Sequence, residues 1–449
     1  MSEKIVIHGN RALSGTVKIS GAKNSVLKLM AGALLSKHPV ALHNTPALSD
    51  VTVMADVLRH LGCTVTLSPG VVSIDASGAN SIDAPYELVS KMRASFNVLG
   101  SLLGRFKEAR VALPGGCSIG KRNVDLHVKG LTALGADVEI IHGYVEAKAS
   151  RLVGAEILLD TPSVGATENI MLAAVFAEGT TVLSNAAQEP EITDLANFLN
   201  AIGADVNGAG TNEIIIHGVS PSAMRETSYT VMPDRIEAAT YIIAAAATRG
   251  SLVVQDIIPA HLNSLTHKLL DMGVSIESIS PNSLKVSSNK RLQAQNIVTQ
   301  PYPGFPTDLQ APLMALLCVS DGVSIVKETI YESRFKQVAE LIRMGANVSE
   351  ERNVAIVNGI ETLSGAEVQA HDLRAGASMI IAGLQAKGCT EIRNIHHIDR
   401  GYEYVVDKLS SLGADIRRAK DDALTDLPTP DMQTAIVSNN PQANPDSNV

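Results

Sequence analysis

The sequence predicts an α/β protein of two domains, each built from three repeats of about 70 residues with buried helices and outer sheets. Three observations lead there. First, one phrase recurs six times: an amphipathic helix, then (Leu/Ile/Met)-Gly-(Ala/Cys/Val)-x-(Val/Ile) leading into a strand. Its glycines are Gly62, Gly135, Gly203, Gly273, Gly345 and Gly413, spaced 73, 68, 70, 72 and 68 residues apart. Second, every unit also carries a helix that is apolar on nearly all sides. Third, aromatics make up only 3% of the chain and Trp is absent. The core must therefore consist of Ala, Val, Ile, Leu and Gly, which suits close packing of small-residue helices and strands.

In chain order, Lys4–Ile7 and Val17–Ile19 read as strands ahead of the first unit. The phrase glycines suit left-handed helix caps before a strand. The apolar patterns predict helices over 23–35, 93–103, 165–177, 235–247, 308–319 and 373–386. A helix without a polar face belongs inside, and none of these is long enough to span a bilayer. Their openings are polar: Lys23-Asn24, Arg93, Ser163–Thr167, Asp234-Arg235, Thr307-Asp308 and Asp372–Arg374. Helix N-termini carry free N–H groups and a partial positive charge. If all six face one cleft, they form an anion trap inside an acidic protein. The expected domains are 23–230, holding repeats one to three, and 231–420 closed by residues 1–22. From 421 to 449 the chain turns to Asp, Asn, Pro, Gln and Ser without Lys or Arg, which reads as a disordered tail.

Composition excludes several function classes. The net charge is -9 and no polybasic run occurs, so nucleic acid and anionic membranes are poor partners. Ring-shaped DNA clamps share sixfold pseudo-symmetry, but they need cations along the repeated helices, and these helices are apolar. Cys63, Cys117, Cys318 and Cys389 form no C-x-x-C pair, which points away from a zinc site and toward a reducing cytoplasm. The start, Met-Ser-Glu-Lys, lacks a signal pattern. His396-His397 has no Cys or carboxylate cluster to complete a metal site and reads as structural.

The stretch with the densest chemistry is Pro114–Arg122, P-G-G-C-S-I-G-K-R. Gly115-x4-Gly120-Lys121 matches most of a phosphate-binding P-loop, but Arg122 stands where the magnesium-holding hydroxyl belongs. Cys117 lies among glycines and cations, which favour a thiolate. Cys63, Cys318 and Cys389 read as inert, buried, small hydrophobic residues.

The pieces S-G-A-K-N (20–24), M-R-A-S (92–95), L-P-G-G-C-S-I-G-K-R (113–122), S-V-G-A-T (163–167), E-P-E-I (189–192), P-D-R-I-E (233–237), F-P-T-D (305–308), D-L-R-A (372–375) and H-I-D-R-G-Y-E (397–403) follow in order. Over about residues 4–418 this closely resembles the UDP-N-acetylglucosamine enolpyruvyl transferases. The Cys loop and the H-I-D-R-G-Y-E stretch are specific to that group. The related 5-enolpyruvylshikimate-3-phosphate synthases share the scaffold but lack the loop.

The resemblance implies two inside-out, barrel-like α/β domains. It implies transfer of the enolpyruvyl group of phosphoenolpyruvate to the 3′-hydroxyl of UDP-N-acetylglucosamine, with release of phosphate, at the committed step of peptidoglycan synthesis. A different acceptor, such as shikimate 3-phosphate, is the alternative. No metal or organic cofactor is implied. Lys23, Arg122 and Arg400 match the phosphoenolpyruvate grip, with Arg93 and Arg374 nearby in role. Planar guanidinium forks suit both of its anions. Asp308 matches the base and Cys117 the proton donor, which also forms a covalent phosphoenolpyruvate adduct and is alkylated by the epoxide antibiotic fosfomycin. Asp308 also suits a helix cap. Asn24 matches a contact to the intermediate, with Glu191 and Asp372 as lesser candidates. For the nucleotide sugar the matches are Arg122, Asn123, Val124, Asp125, Leu126, Ser163, Val164, Gly165, Asp308 and Ile330.

Overall fold

The computed structural model describes residues 3–114 and 124–421. Their strands form six separate four-stranded sheets, each with one parallel and two antiparallel pairings. Among the described residues, none of these sheets closes on itself into a barrel. Along strands such as Val323–Lys327, exposed and buried residues alternate. Each sheet thus turns one face to solvent and the other to the helices.

The expected inner helices occur as Lys23–Ala33, Val98–Phe106, Val164–Ala174, Arg235–Ala247, Gln310–Leu317 and Leu373–Gln385. Two openings differ from the sequence expectation. Arg93–Asn97 and Thr307–Leu309 are 3-10 turns that precede the α-helices. Their N-termini lack a side-chain cap, and the tighter turn satisfies backbone groups that the α-form would leave free. The buried hydrophobic residues form two cores. One is drawn from residues 26–231, the other from residues 5–19 and 236–416.

Three sheets are completed by strands from elsewhere in the chain. Ser14–Lys18 pairs in parallel with Ser251–Gln255, and Thr227–Thr230 pairs in parallel with Val40–His43. Glu3–His8 lies antiparallel between Cys389–Arg393 and Asp415–Lys420. The chain therefore crosses between the domains twice, near residues 19–22 and 231–234. The crossings are stitched together: Ala22 N donates to Met232 O at 2.7 Å and Asp234 N to Ser20 O at 2.9 Å. Gly21 makes this possible, because a Cβ there would stand 1.8 Å from the Asn44 carbonyl oxygen. Asp421 pairs with Arg393 at 3.3 Å. The rest of the expected tail, 422–449, lies outside the described residues.

All six phrase glycines have positive φ, from 92° to 116°. At Gly203 a Cβ would also stand 2.2 Å from the Ala223 carbonyl oxygen, whereas Gly413 has nothing within 4 Å. Gly413→Ala is expected to cost about 1–2 kcal/mol, the left-handed penalty alone. Gly203→Ala is expected to cost clearly more, since backbone must move. Urea denaturation of the two variants measures the difference, and equal losses would show that the backbone at Ala223 yields freely.

Candidate active site

The site grows from helix starts on both sides of the crossover. Asp234 caps the Arg235–Ala247 helix, accepting from Ile236 N at 2.8 Å and Glu237 N at 3.0 Å. Its other oxygen accepts from Lys23 N at 3.0 Å. That bond fixes the first residue of the Lys23–Ala33 helix against the other domain. Lys23 Nζ then lies 3.0 Å from Asp50, a carboxylate in the first turn of the Ser49–His60 helix. Arg400, from the second domain, reaches the same carboxylate with Nε at 2.8 Å. Asp50 is 2% exposed, so one buried anion gathers two cations, one from each domain.

A second constellation stands beside it. Asp308 is gripped by Arg334 at 2.6 Å and by Arg374 at 2.9 Å. Both arginines are nearly fully buried. Arg374 also donates to the Tyr402 hydroxyl at 3.2 Å, which is 3.0 Å from Thr240 Oγ1. Asp372 caps the Leu373–Gln385 helix through Arg374 N and Ala375 N, both at 2.9 Å. Arg235 pairs with Glu191 across the domains at 3.0 Å.

The charges act on one another. Burial draws the Lys23 ammonium below its usual range; Asp50 opposes this, while Arg374 and Arg400 add to it. Burial also works against the Arg374 guanidinium, but Asp308, Tyr402 and Asp234 outweigh it and raise its pKa. Lys23, Arg374 and Arg400 thus share one positive neighbourhood in an acidic protein. This is the field that a dianionic ligand would complete.

A neighbouring group belongs to the first domain. Ser163 caps the Val164–Ala174 helix, its Oγ accepting from Ala166 N at 3.4 Å. The His127 ring lies against this start, and a Cβ on Gly165 would come within 3.3 Å of its Nε2. His127 is held by Asn169 at 2.9 Å and stands edge-on to Phe96. Burial, reinforced by the charge of Arg93, pushes its pKa down to about 3, so the ring is neutral at physiological pH. Arg93, Val124, Asp125, Leu126, Ser163, Val164 and Gly165 fall on these elements. Ile330 is tied to the Asp308 turn instead: Glu328 accepts from Ile330 N at 2.7 Å and from Thr307 Oγ1 at 3.0 Å. Asn24 is half-buried, and its carbonyl accepts from Lys28 Nζ at 3.2 Å.

Of the sequence candidates, Lys23, Asp308, Arg374 and Arg400 are brought together. Cys117, Arg122 and Asn123 lie outside the described residues. The reading from sequence missed Asp50, Arg334, His127 and Tyr402. Tyr402 had one available signal, since it stands within the H-I-D-R-G-Y-E motif, whereas Asp50 had only its place in a first helical turn. Arg334 had none, because its strand-to-helix connection carries none of the matched motifs. Among the described residues, no group of three or more His, Cys, Asp or Glu is placed to hold a metal ion. His396 and His397 pack ring to ring at 4.1 Å.

Comparison with known proteins places this arrangement. Residues 7–409 match the family model described as EPSP synthase (3-phosphoshikimate 1-carboxyvinyltransferase). A UDP-N-acetylglucosamine 1-carboxyvinyltransferase 2 of Carboxydothermus hydrogenoformans is 54% identical over 420 residues, covering 93% of this chain and 100% of the relative. A UDP-N-acetylglucosamine 1-carboxyvinyltransferase 1 of Caldanaerobacter subterraneus subsp. tengcongensis is 51% identical over 418 residues, again 93% and 100% of the two chains. Among solved structures, the enolpyruvyl transferase NikO from Streptomyces tendae superposes with a TM-score of 0.84 at 27% identity, covering 93% of this chain and 99% of that one. An EPSP synthase from Acinetobacter baumannii, at 20% identity, a TM-score of 0.71 and coverage of 94% and 100%, shares the fold. The chain belongs to the EPSP synthase family of enolpyruvyl transferases, within its UDP-N-acetylglucosamine 1-carboxyvinyltransferase group.

Proposed function

We propose that the chain transfers the enolpyruvyl group of phosphoenolpyruvate to the 3′-hydroxyl of UDP-N-acetylglucosamine and releases inorganic phosphate, the committed step of peptidoglycan synthesis. The observation that carries the residue assignment is the meeting of Lys23 and Arg400 on Asp50, beside an Asp308 locked by two arginines. Phosphoenolpyruvate brings a phosphate and a carboxylate, and Lys23, Arg400 and Arg122 take them as charge-assisted contacts. The Ser163–Gly165 helix start suits the diphosphate of the sugar nucleotide, with Arg93, Val124, Asp125 and Leu126 on the neighbouring elements, while Ile330 would meet the sugar nucleotide from beside the Asp308 turn.

The reaction is an addition followed by an elimination. Asp308 takes the proton of the 3′-hydroxyl as its oxygen bonds to C2 of the enol. Cys117 delivers a proton to C3, giving a tetrahedral intermediate that Asn24 contacts. The C2–O bond to phosphate then breaks and C3 loses a proton, which yields the enol ether and inorganic phosphate. Dividing base and acid between a carboxylate and a thiol is ordinary general acid–base chemistry. Both Asp308 oxygens accept from guanidinium groups, and an ionised carboxylate oxygen can accept more than one hydrogen bond.

The test is phosphate release from phosphoenolpyruvate with UDP-N-acetylglucosamine and, in parallel, with shikimate 3-phosphate. Release is expected only with the first; release with the second alone would reassign the acceptor. Fosfomycin, an epoxide, is expected to inactivate the protein by alkylating Cys117. Cys117→Asp is expected to keep measurable turnover and to resist the drug, and full sensitivity of that variant would remove the thiol from this role.

A further inference from the structure

The H-I-D-R-G-Y-E stretch does more than supply Arg400. Three residues after Arg400 stands Glu403, half-buried, and its two oxygens serve different parts of the molecule. Oε1 accepts from Ala47 N at 2.6 Å, and Oε2 accepts from the Ser20 hydroxyl. Ala47 lies three residues before Asp50. The pairings Arg400–Asp50 and Glu403–Ala47 therefore hold one segment of the first domain at two points. One contact would leave that segment free to pivot about Arg400; the second fixes its orientation.

The Ser20 end is equally determined. Ser20 N donates to Glu237 Oε2 at 2.8 Å. Lys408 Nζ donates to the Ser20 hydroxyl oxygen and to Glu237 Oε1, each at 2.6 Å. With its oxygen accepting from Lys408, the Ser20 hydroxyl turns its own proton toward Glu403. Ser20 lies in the crossover between the domains, three residues before Lys23. The residue after Glu403, Tyr404, takes a left-handed backbone with φ 48°, a conformation that costs a non-glycine residue energy.

We propose that Glu403 is a positioning residue for phosphoenolpyruvate. It clasps the 44–50 segment to the crossover, so that Asp50 presents Lys23 and Arg400 as one preassembled anion site. This rests on the functional reading above. Both Glu403 oxygens are engaged by Ala47 N and the Ser20 hydroxyl, so its removal acts through the spacing of the two cations. Glu403→Ala loses both bonds and is expected to raise the KM for phosphoenolpyruvate about tenfold, with the KM for UDP-N-acetylglucosamine within about twofold of wild type. Glu403→Gln keeps a carbonyl oxygen for Ala47 N and is expected to recover most of the loss. Glu403→Asp keeps the charge but is one methylene too short to span both partners, so it is expected to behave like the alanine variant and serves in its place if that one does not fold.

Small-angle X-ray scattering of the substrate-free protein provides a readout independent of turnover. The alanine and aspartate variants are expected to have a larger radius of gyration than wild type and the glutamine variant. A wild type that releases no phosphate from the two substrates would refute the functional reading while leaving the scattering comparison intact. An unchanged radius of gyration, an unchanged phosphoenolpyruvate KM, or an equal rise in both KM values would overturn the clasp.

Discussion

Asp308→Asn is expected to lower kcat about a thousandfold, the scale of a lost general base, while the protein stays folded. The asparagine is isosteric and its carbonyl oxygen still accepts from one of Arg334 and Arg374, but it cannot take the 3′-hydroxyl proton. Asp308→Ala is expected to lose at least as much turnover and to be less stable by about 3–5 kcal/mol, because two buried guanidinium groups then lack their anion. Steady-state kinetics and thermal melting of both variants separate the two effects. A near-normal kcat in the asparagine variant would exclude Asp308 as the base, and an equally stable alanine variant would exclude it as the keystone of the arginine pair.

The second large effect is at Lys23. Lys23→Ala is expected to reduce kcat/KM for phosphoenolpyruvate by about two to three orders of magnitude, as truncating one partner of a buried charge pair does. The sugar-nucleotide KM should move little. The pH dependence has a definite sign. Burial, with Arg374 and Arg400, draws the Lys23 pKa down in the substrate-free protein. A bound dianion favours the protonated form and shifts it back up. The KM for phosphoenolpyruvate should therefore be flat at low pH, then rise as pH climbs through the depressed pKa. Lys23→Arg should remove that alkaline limb, since a guanidinium stays charged throughout. A limb that persists in the arginine variant would have to come from another group.

The repeat was legible because it is local and periodic. A glycine that must adopt positive φ at the end of a helix leaves the same mark wherever the unit recurs, and all six phrase glycines take that conformation. The buried helices were legible because an all-apolar segment of that length has only one stable place in water. Their exact starts were not. At Arg93 and Thr307 no side chain caps the helix, and a 3-10 turn supplies the missing bonds.

The site was legible only in part. Lys23, Asp308, Arg374 and Arg400 stand in motifs whose residue types already suit an anionic substrate. Asp50 gave no such sign: in sequence it is an ordinary acidic residue in a first helical turn, where any carboxylate is favoured. Arg334 likewise reads as a surface arginine, although it is 4% exposed and holds Asp308.

By itself, the sequence determined six α/β units, their buried helices, the two-domain plan and the residue types available for chemistry. Each of these follows from local periodicity and side-chain polarity. Only the tertiary structure decided which charges meet. Arg400 and Asp50 are 350 residues apart, and nothing local to either encodes the other. Their meeting depends on the two strands that cross between the domains and are stitched at Gly21 and Pro233. Burial there draws Lys23 below its usual range, while the anionic neighbours of Arg374 outweigh the same burial and raise it.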